Sequence, residues 1–164
     1  MGTIYRHSNG QWRARYSGPD RRQHTRHFDR KSDAAKWLAG VEVSRAKGEW
    51  LDPGRSSVTV ADWCGTWLDA QHQLRATTRA RYTGIVERHV VPAFGDWPVS
   101  ELTPAEIAAW LGRLSASGLS AASVRYCHRV LSMALAFAVT DGRLARNPAA
   151  GTKVPRAKAG PSDT

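Results

Sequence analysis

The sequence has few cysteines and no long apolar run. Only Cys64 and Cys127 occur among the 164 residues, and each falls in a pattern typical of a helix, which favours reduced, buried thiols over a disulfide framework. No stretch of about 18 consecutive apolar residues is available to span a bilayer, and the opening residues, MGTIYRHSNG, carry no secretory signal. We therefore expect a non-secreted, cytoplasmic protein with no membrane partner.

Motifs for metal binding or catalysis are also missing. There is no Cys-x-x-Cys or His-Glu-x-x-His spacing, and His24 and His27 would project from opposite faces of a strand, so no metal site is predicted. There is no Gly-x-Ser-x-Gly, no Walker loop and no recognisable pair of carboxylates. From the residues alone we predict no cofactor and no catalytic group.

Acidic residues are outnumbered, with 14 Asp+Glu against 24 Lys+Arg, which gives a formal net charge of +10. Such an excess indicates an anionic partner, either a nucleic acid or an acidic membrane surface. Arginine supplies 19 of the 24 cations. The planar guanidinium group of arginine suits bidentate recognition of phosphates and guanine edges, although a GC-rich genome would also favour arginine over lysine.

Residues 1–50 show the alternation of a half-buried sheet. In the stretch NGQWRARYSGPDRRQHTRHF, residues 9–28, Trp12, Ala14 and Tyr16 share one side of a strand, and arginines share the other. The Gly-Pro-Asp sequence predicts a hairpin turn, RRQHTRHF a second strand, and TIYRH a further short one. A helix beginning near Ser32 has its apolar residues at helical spacing and would cover the Trp12 side. The predicted domain is three antiparallel strands packed on one helix.

Residues 51–57, LDPGRSS, read as a linker of turn formers, after which the pattern changes to a period of 3.6. We predict four helices in residues 58–150. The first begins at Thr59, the second begins at Thr77 or Thr78 and ends near Pro92, the third follows Thr103-Pro104, and the longest runs from Ser120 to Thr140. Residues 151–164 read as a mobile tail or the start of a further linker. The fold class is α+β followed by all-α.

Basic and polar side chains cluster at three places that suit DNA. They lie on the sheet, at the start of the second helix, where free N–H groups favour phosphate, and on one face of the longest helix. The alternative for each is an ordinary solvated surface. The candidate DNA-binding residues are Arg13, Arg15, Arg22, His24, Arg26, Thr78, Arg79, Arg81, Arg125 and Arg129. One conflict remains on the third strand, because an inward Phe28 would take Arg22, His24 and Arg26 inward too unless a bulge precedes it.

Two long stretches resemble a known family. The series GTIYR, NGQWRARY, DRRQHTRHF and SDAAKWL resembles the N-terminal arm-type DNA-binding domain of phage integrases. The series VTVADWCGTWL, TTRARYTGIVERHVVPAFG, VSELTPAEIAAWL and SAASVRYCHRVLSMALAFAVTDGRLARNPA resembles the SAM-like core-binding domain of tyrosine recombinases. The resemblance covers residues 3 to 155. It implies that the sheet enters a major groove and that the partners are double-stranded DNA, at arm-type and core-type attachment sites, and other integrase protomers.

The catalytic domain of that family would begin just after Val154-Pro155-Arg156, where little of the sequence remains. The family's His-x-x-Arg motif is missing, and no tyrosine matches the position of its nucleophile. The resemblance therefore implies sequence-specific DNA binding, as the N-terminal half of a site-specific integrase, without cleavage by this chain. A stand-alone DNA-binding regulator or a naturally truncated integrase is the alternative, and a protein-interaction module built on the helices is a third class.

Overall fold

Three antiparallel strands open the chain in the computed structural model, which describes residues 1–156. They are β1 (Thr3–Arg6), β2 (Trp12–Ser17) and β3 (Gln23–Phe28), with β2 in the centre. Gly10 in the first turn has a φ of +86°, a conformation that glycine adopts without a steric penalty. In the second turn the Asp20 carboxylate accepts a hydrogen bond from the Arg22 N–H at 3.1 Å. The predicted turn between the second and third strands is therefore present.

One helix, α1 (Lys31–Ala46), covers one side of this sheet. Ala14, Tyr16 and Ala34 are buried between them. The Trp37 ring of α1 lies 5.3 Å from the Tyr16 ring and 5.6 Å from the Phe28 ring, so the sheet and the helix share an aromatic core. This confirms the predicted α+β architecture, although the helix begins at Lys31, one residue earlier than expected.

A second compact unit begins at Pro53, because the described contacts divide the chain between Asp52 and Pro53. Its principal helices include α3 (Val60–Ala70), α6 (Pro104–Ala116) and α7 (Ala121–Thr140). The side chains of Thr59, Thr103 and Ser120 each accept a hydrogen bond from a backbone N–H in the first turn of the helix they precede, as the sequence predicts. The apolar sides of these helices form one continuous core.

The second predicted helix does not end at Pro92. It runs as α4 (Ala76–Ile85), continues through a π-turn at Val86–Val90, and ends with α5 (Val91–Phe94). Pro92 has no N–H for the carbonyl four residues earlier, and a wider turn directly before it lets the helix continue past that gap. Its start also differs from the prediction, because Arg75 occupies the N-cap position and makes no side-chain cap hydrogen bond.

Part of the predicted linker is ordered. Residues 53–56 form a helical turn, α2 (Pro53–Ser56). The Arg55 guanidinium donates to the Asp141 carboxylate at 3.0 Å, and Arg143 donates to the Arg55 carbonyl at 3.0 Å. Residues of the predicted linker therefore pack on the end of α7 within the second unit.

The segment after α7 packs back on the helices. His128 bonds through Nε2 to the Ala149 carbonyl at 2.9 Å, and Asn147 donates to the Ser132 carbonyl at 3.0 Å. Leu144 and Ala149 are buried. Residues 157–164, the end of the predicted tail, lie outside the described residues. No helix within residues 1–156 has the length and apolar character needed to cross a membrane.

Candidate nucleic-acid interface

The side of the sheet opposite α1 carries three cross-strand rows of polar and basic residues, two of which contain an arginine. In the antiparallel register, Tyr5 pairs with Arg13 and Arg13 with His27, while Thr3 pairs with Arg15 and Arg15 with Thr25. Residues paired in this way project to the same side of a sheet. We call this side the open sheet face, and its members are Thr3, Tyr5, Arg13, Arg15, Ser17, Gln23, Thr25 and His27.

The two arginines of the open sheet face differ in their surroundings. Arg15 is exposed, whereas Arg13 is half-buried, with its guanidinium carbon 5.8 Å from the centre of the Tyr5 ring. The Nε atom of Arg13 is enclosed and has no hydrogen-bond partner within residues 1–156. Because no acidic residue occurs on this face, both guanidinium groups contribute to a surface suited to an anion.

Three of the residues predicted to bind DNA through the sheet do not lie on the open sheet face. The register of β2 and β3 is continuous, with no bulge before Phe28. His24 and Arg26 therefore face the α1 side, opposite Tyr16 and Ala14, and Arg22 lies in the turn before β3. The expectation that these three residues share a face with Arg13 and Arg15 was wrong.

His24 has a structural role instead. Its ring stacks on Tyr16 at 5.2 Å, and its Nε2 atom lies 3.0 Å from the Asp20 carboxylate. Desolvation by itself would raise the pKa of Asp20, but the hydrogen bonds from Arg22 and His24 and the charges of both residues outweigh it, so that pKa is lowered. Asp20, His24 and Asp52 offer ligand atoms within 4.8 Å of one another. Because Asp20 and His24 already bond to each other, we assign no metal to them.

The second unit has a groove between α4 and α7. The groove encloses about 520 Å³ and continues past Arg88 and His89 into a shallower depression beside α6. Arg81, Arg88 and His89 line the groove, and Arg113 lines the depression. No acidic residue lines either of them. We call this combined surface the helical groove.

The predicted residues of the helical unit separate into four groups. Arg81 lines the groove, with its guanidinium carbon 3.8 Å from the centre of the Tyr126 ring. Arg79 instead donates to the Leu68 carbonyl at 2.8 Å and to Asp69 at 3.1 Å, so it fastens the end of α3. Arg125 and Arg129 are exposed on α7 but do not line the groove. Thr78 lies half-buried in the first turn of α4.

Sequence reasoning missed Arg88, His89 and Arg113. The expected helix end at Pro92 left the residues just before it in a terminal turn, not on the face of a continuing helix. The spacing of Arg81, Ile85 and Arg88 is that of one helix face, and this signal was available in the sequence. His89 is a residue of the π-turn and lines the groove. Its carbonyl accepts a hydrogen bond from the Trp110 indole N–H at 3.1 Å, which ties the turn to α6.

The fold therefore defines a chain of two units, one α+β and one all-helical, each with a basic surface. Two family models match these units: the phage integrase N-terminal domain matches residues 1–47, and the phage integrase N-terminal SAM-like domain matches residues 59–115. The chain belongs to the phage integrase family through these two domains. Neither matched domain is a catalytic one.

Similar proteins agree with this assignment. The integrase of Mycobacterium phage D29 is 30% identical over 141 residues, which cover 82% of this chain and 35% of that protein. The integrase of Mycobacterium phage L5 is 29% identical over 157 residues, which cover 90% of this chain and 42% of that protein. The chain thus spans less than half the length of these relatives.

Solved structures support the same fold. The solution structure of a phage integrase SAM-like domain from Moorella thermoacetica is 36% identical, with a TM-score of 0.54, and the match covers 66% of this chain and 93% of that domain. A lambda integrase dimer bound to a COC′ core site matches 95% of this chain and 46% of its own, with a TM-score of 0.58. At 22% identity, that second match supports the fold alone.

Proposed function

We propose that this chain binds double-stranded DNA in a sequence-specific manner, as the N-terminal, DNA-binding half of a site-specific integrase acting at attachment sites. The observation that carries the proposal is the open sheet face, where Arg13 and Arg15 stand in adjacent rows on the side that α1 leaves uncovered. A small sheet fits the major groove of B-DNA, which is about 12 Å wide. Arginine there can contact both phosphates and guanine edges.

The helical groove supplies a second contact surface in this proposal. It carries Arg81, Arg88 and His89 without an acidic neighbour among its lining residues. In terms of the family, the sheet unit would bind arm-type DNA and the helical unit core-type DNA. Arg125, Arg129 and Thr78 remain proposed contacts outside the groove. Other integrase protomers would be partners on the same DNA in the cytoplasm, and the lambda relative was solved as a dimer.

We assign no strand cleavage to this chain. Its tyrosines are occupied by packing: Tyr16 accepts a hydrogen bond from Trp50 at 3.1 Å, and Tyr82 stacks on Trp67 at 5.7 Å. Tyr5 and Tyr126 each lie against an arginine. The assignment is supported by the family comparison, in which the matched domains are the N-terminal and the SAM-like one.

Binding titrations over a range of salt concentrations test the proposal. A fluorescently labelled attachment-site duplex and a scrambled duplex of equal length are the two probes. We expect tighter binding to the attachment site, with log affinity falling by about 0.9 per phosphate contact for each unit of log salt. A flat salt response, or no binding to either duplex, would reject the DNA-binding function. Preference for promoter DNA over the attachment site would favour the stand-alone regulator instead.

A further inference from the structure

We propose that Arg81 reads a base edge for the helical unit, that Tyr126 is the residue that positions it, and that Gly84 keeps the groove open to the DNA. This inference rests on the proposed function and adds to it the residues that determine specificity.

Arg81 is both exposed and held in place. Its guanidinium carbon lies 3.8 Å from the Tyr126 ring centre, which is a close stacking contact. Stacking occupies the flat face of the guanidinium and leaves its N–H groups pointing outward from the edge. Within residues 1–156 Arg81 forms no ion pair. Its donors are therefore available, and little side-chain freedom remains to be lost on binding.

The contrast with the other arginines of this unit strengthens the assignment. Arg79, Arg55 and Arg143 donate to protein acceptors, so their guanidinium groups are already engaged. Arg125 and Arg129 have no aromatic ring stacked against them among the described contacts. Arg81 thus combines a fixed position with free donors, as a residue that discriminates between bases requires.

Tyr126 is itself supported from the core. Its ring lies 6.2 Å from the Tyr82 ring, which stacks on Trp67 at 5.7 Å. Trp67 is 2% exposed. A continuous series of rings therefore connects the buried core with the guanidinium of Arg81, which prevents Tyr126 from moving away when DNA approaches.

Gly84 lines the same groove three residues after Arg81. A Cβ atom placed on Gly84 would meet no atom within 4 Å. Glycine inside a helix is less stable than alanine, and no atom of residues 1–156 occupies the space that alanine would fill. Gly40, Gly65 and Gly112 are equally open, but of the helical glycines in residues 1–156 Gly84 is the one that lines the groove. Its missing side chain therefore leaves room for DNA where Arg81 lies.

The experiment measures the ratio of affinities for two duplexes. The protein is the full chain carrying Arg13→Ala and Arg15→Ala, so that the helical unit dominates recognition. The probes are a duplex selected from a random-sequence pool by that protein and a scrambled duplex of the same composition. Arg81→Ala and Tyr126→Leu should each reduce the ratio by about tenfold, within the range for loss of one base contact. Tyr126→Phe should keep the ratio, because its ring retains the stacking face.

The double variant shows whether Tyr126 acts through Arg81. Arg81→Ala combined with Tyr126→Leu should be no worse than Arg81→Ala alone, because the ring has nothing left to position. If Tyr126→Leu fails to fold, Arg81→Lys is measured in its place. Lysine keeps the positive charge but has no planar group to stack on Tyr126. The ratio of affinities should therefore fall, while the dependence of log affinity on log salt should stay unchanged. Arg75→Ala, an exposed arginine at the N-cap of α4 that makes no side-chain cap hydrogen bond and does not line the groove, is the control and should keep the ratio. Additive losses, or a normal ratio in Tyr126→Leu or Arg81→Lys, would overturn the positioning role.

Gly84→Leu tests the open groove, with Gly112→Leu as its matched control. Both glycines lie in helices with open space around the Cβ position, but Gly112 does not line the groove. Gly84→Leu should melt normally yet bind both duplexes roughly tenfold more weakly, equivalent to ~1.4 kcal/mol, whereas Gly112→Leu should bind normally. Normal binding by Gly84→Leu would refute the groove assignment. If the unsubstituted chain itself binds no duplex, the proposed function fails first.

Discussion

Phe28 lies directly opposite Trp12 in the register of β2 and β3, and both residues face the α1 side of the sheet. This pairing determines the side on which every residue of β3 lies, because the side chains of a strand alternate. His27 is thereby placed beside Arg13 on the open sheet face, and Arg26 is placed on the opposite side.

The first prediction compares two arginines on opposite sides of the same sheet. Arg15→Ala should cost about 1–3 kcal/mol of binding free energy on the preferred duplex if Arg15 contacts a guanine, with a smaller loss on random DNA. Arg26→Ala should change binding little, because Arg26 lies against the Phe28 ring on the α1 side. Binding titrations, with melting curves to verify folding, measure both variants. Equal losses would mean that the open sheet face is not the contact surface.

The sheet shows how far sequence reasoning reaches. The alternation of β2, the turns and the helix over Trp37 follow from local pattern, so the architecture was predictable. The side on which the residues of β3 lie was not predictable, because each of its two alternating sets contains a histidine and other polar residues, and cross-strand packing of Phe28 decided between them. The helical groove was missed for a different reason: Arg81, Ile85 and Arg88 stand at helical spacing in the sequence, but Pro92 suggested a helix end where the helix continues.

The second prediction concerns the turn α2. Asp141 accepts hydrogen bonds from Arg55 and Arg143, so Asp141→Asn weakens two charged contacts. We expect a loss of about 0.5–1 kcal/mol in the free energy of unfolding, the upper range for exposed pairs. Asp69→Asn, which weakens only the pair with Arg79, should cost less. Urea denaturation measures both, and equal costs would show that Asp141 does not hold α2 in place.

The third prediction concerns the two thiols. Burial raises the pKa of Cys64 to about 12 and also raises the pKa of Cys127, so both remain protonated at neutral pH and react slowly with a disulfide reagent. Cys127 lines the groove, so the Cys64→Ala variant, which retains Cys127, should react faster than Cys127→Ala. Both rates should rise sharply in denaturant. A rapid reaction of either variant in its folded state near pH 8 would contradict the buried positions of the thiols.

The fourth prediction is a pH dependence of stability. Because the pKa of Asp20 is lower in the folded protein, its contribution to stability is complete above the unfolded pKa and disappears as pH falls through the folded value. Asp20→Asn should therefore lower the melting temperature at about pH 6, and this effect should shrink as the pH falls below the unfolded value of about 3.9. The exposed Asp96 provides the control substitution Asp96→Asn. If the difference in melting temperature between Asp20→Asn and the unsubstituted protein were the same at every pH, that result would argue against the interaction of Asp20 with His24.

The π-turn at Val86–Val90 accommodates one extra residue in a wider turn, while the helical segments on its two sides keep their alignment. Removing one residue from this turn would therefore restore the ordinary helical spacing and leave that alignment nearly unchanged. Removing one residue from the regular helix α4, such as Thr83, would instead rotate everything before it by about 100° relative to Phe94. Phe94 is 1% exposed, so the rotation would fall on the other end and turn Arg81 away from the groove. Tolerance of a single-residue deletion thus differs between two neighbouring stretches of the same helix.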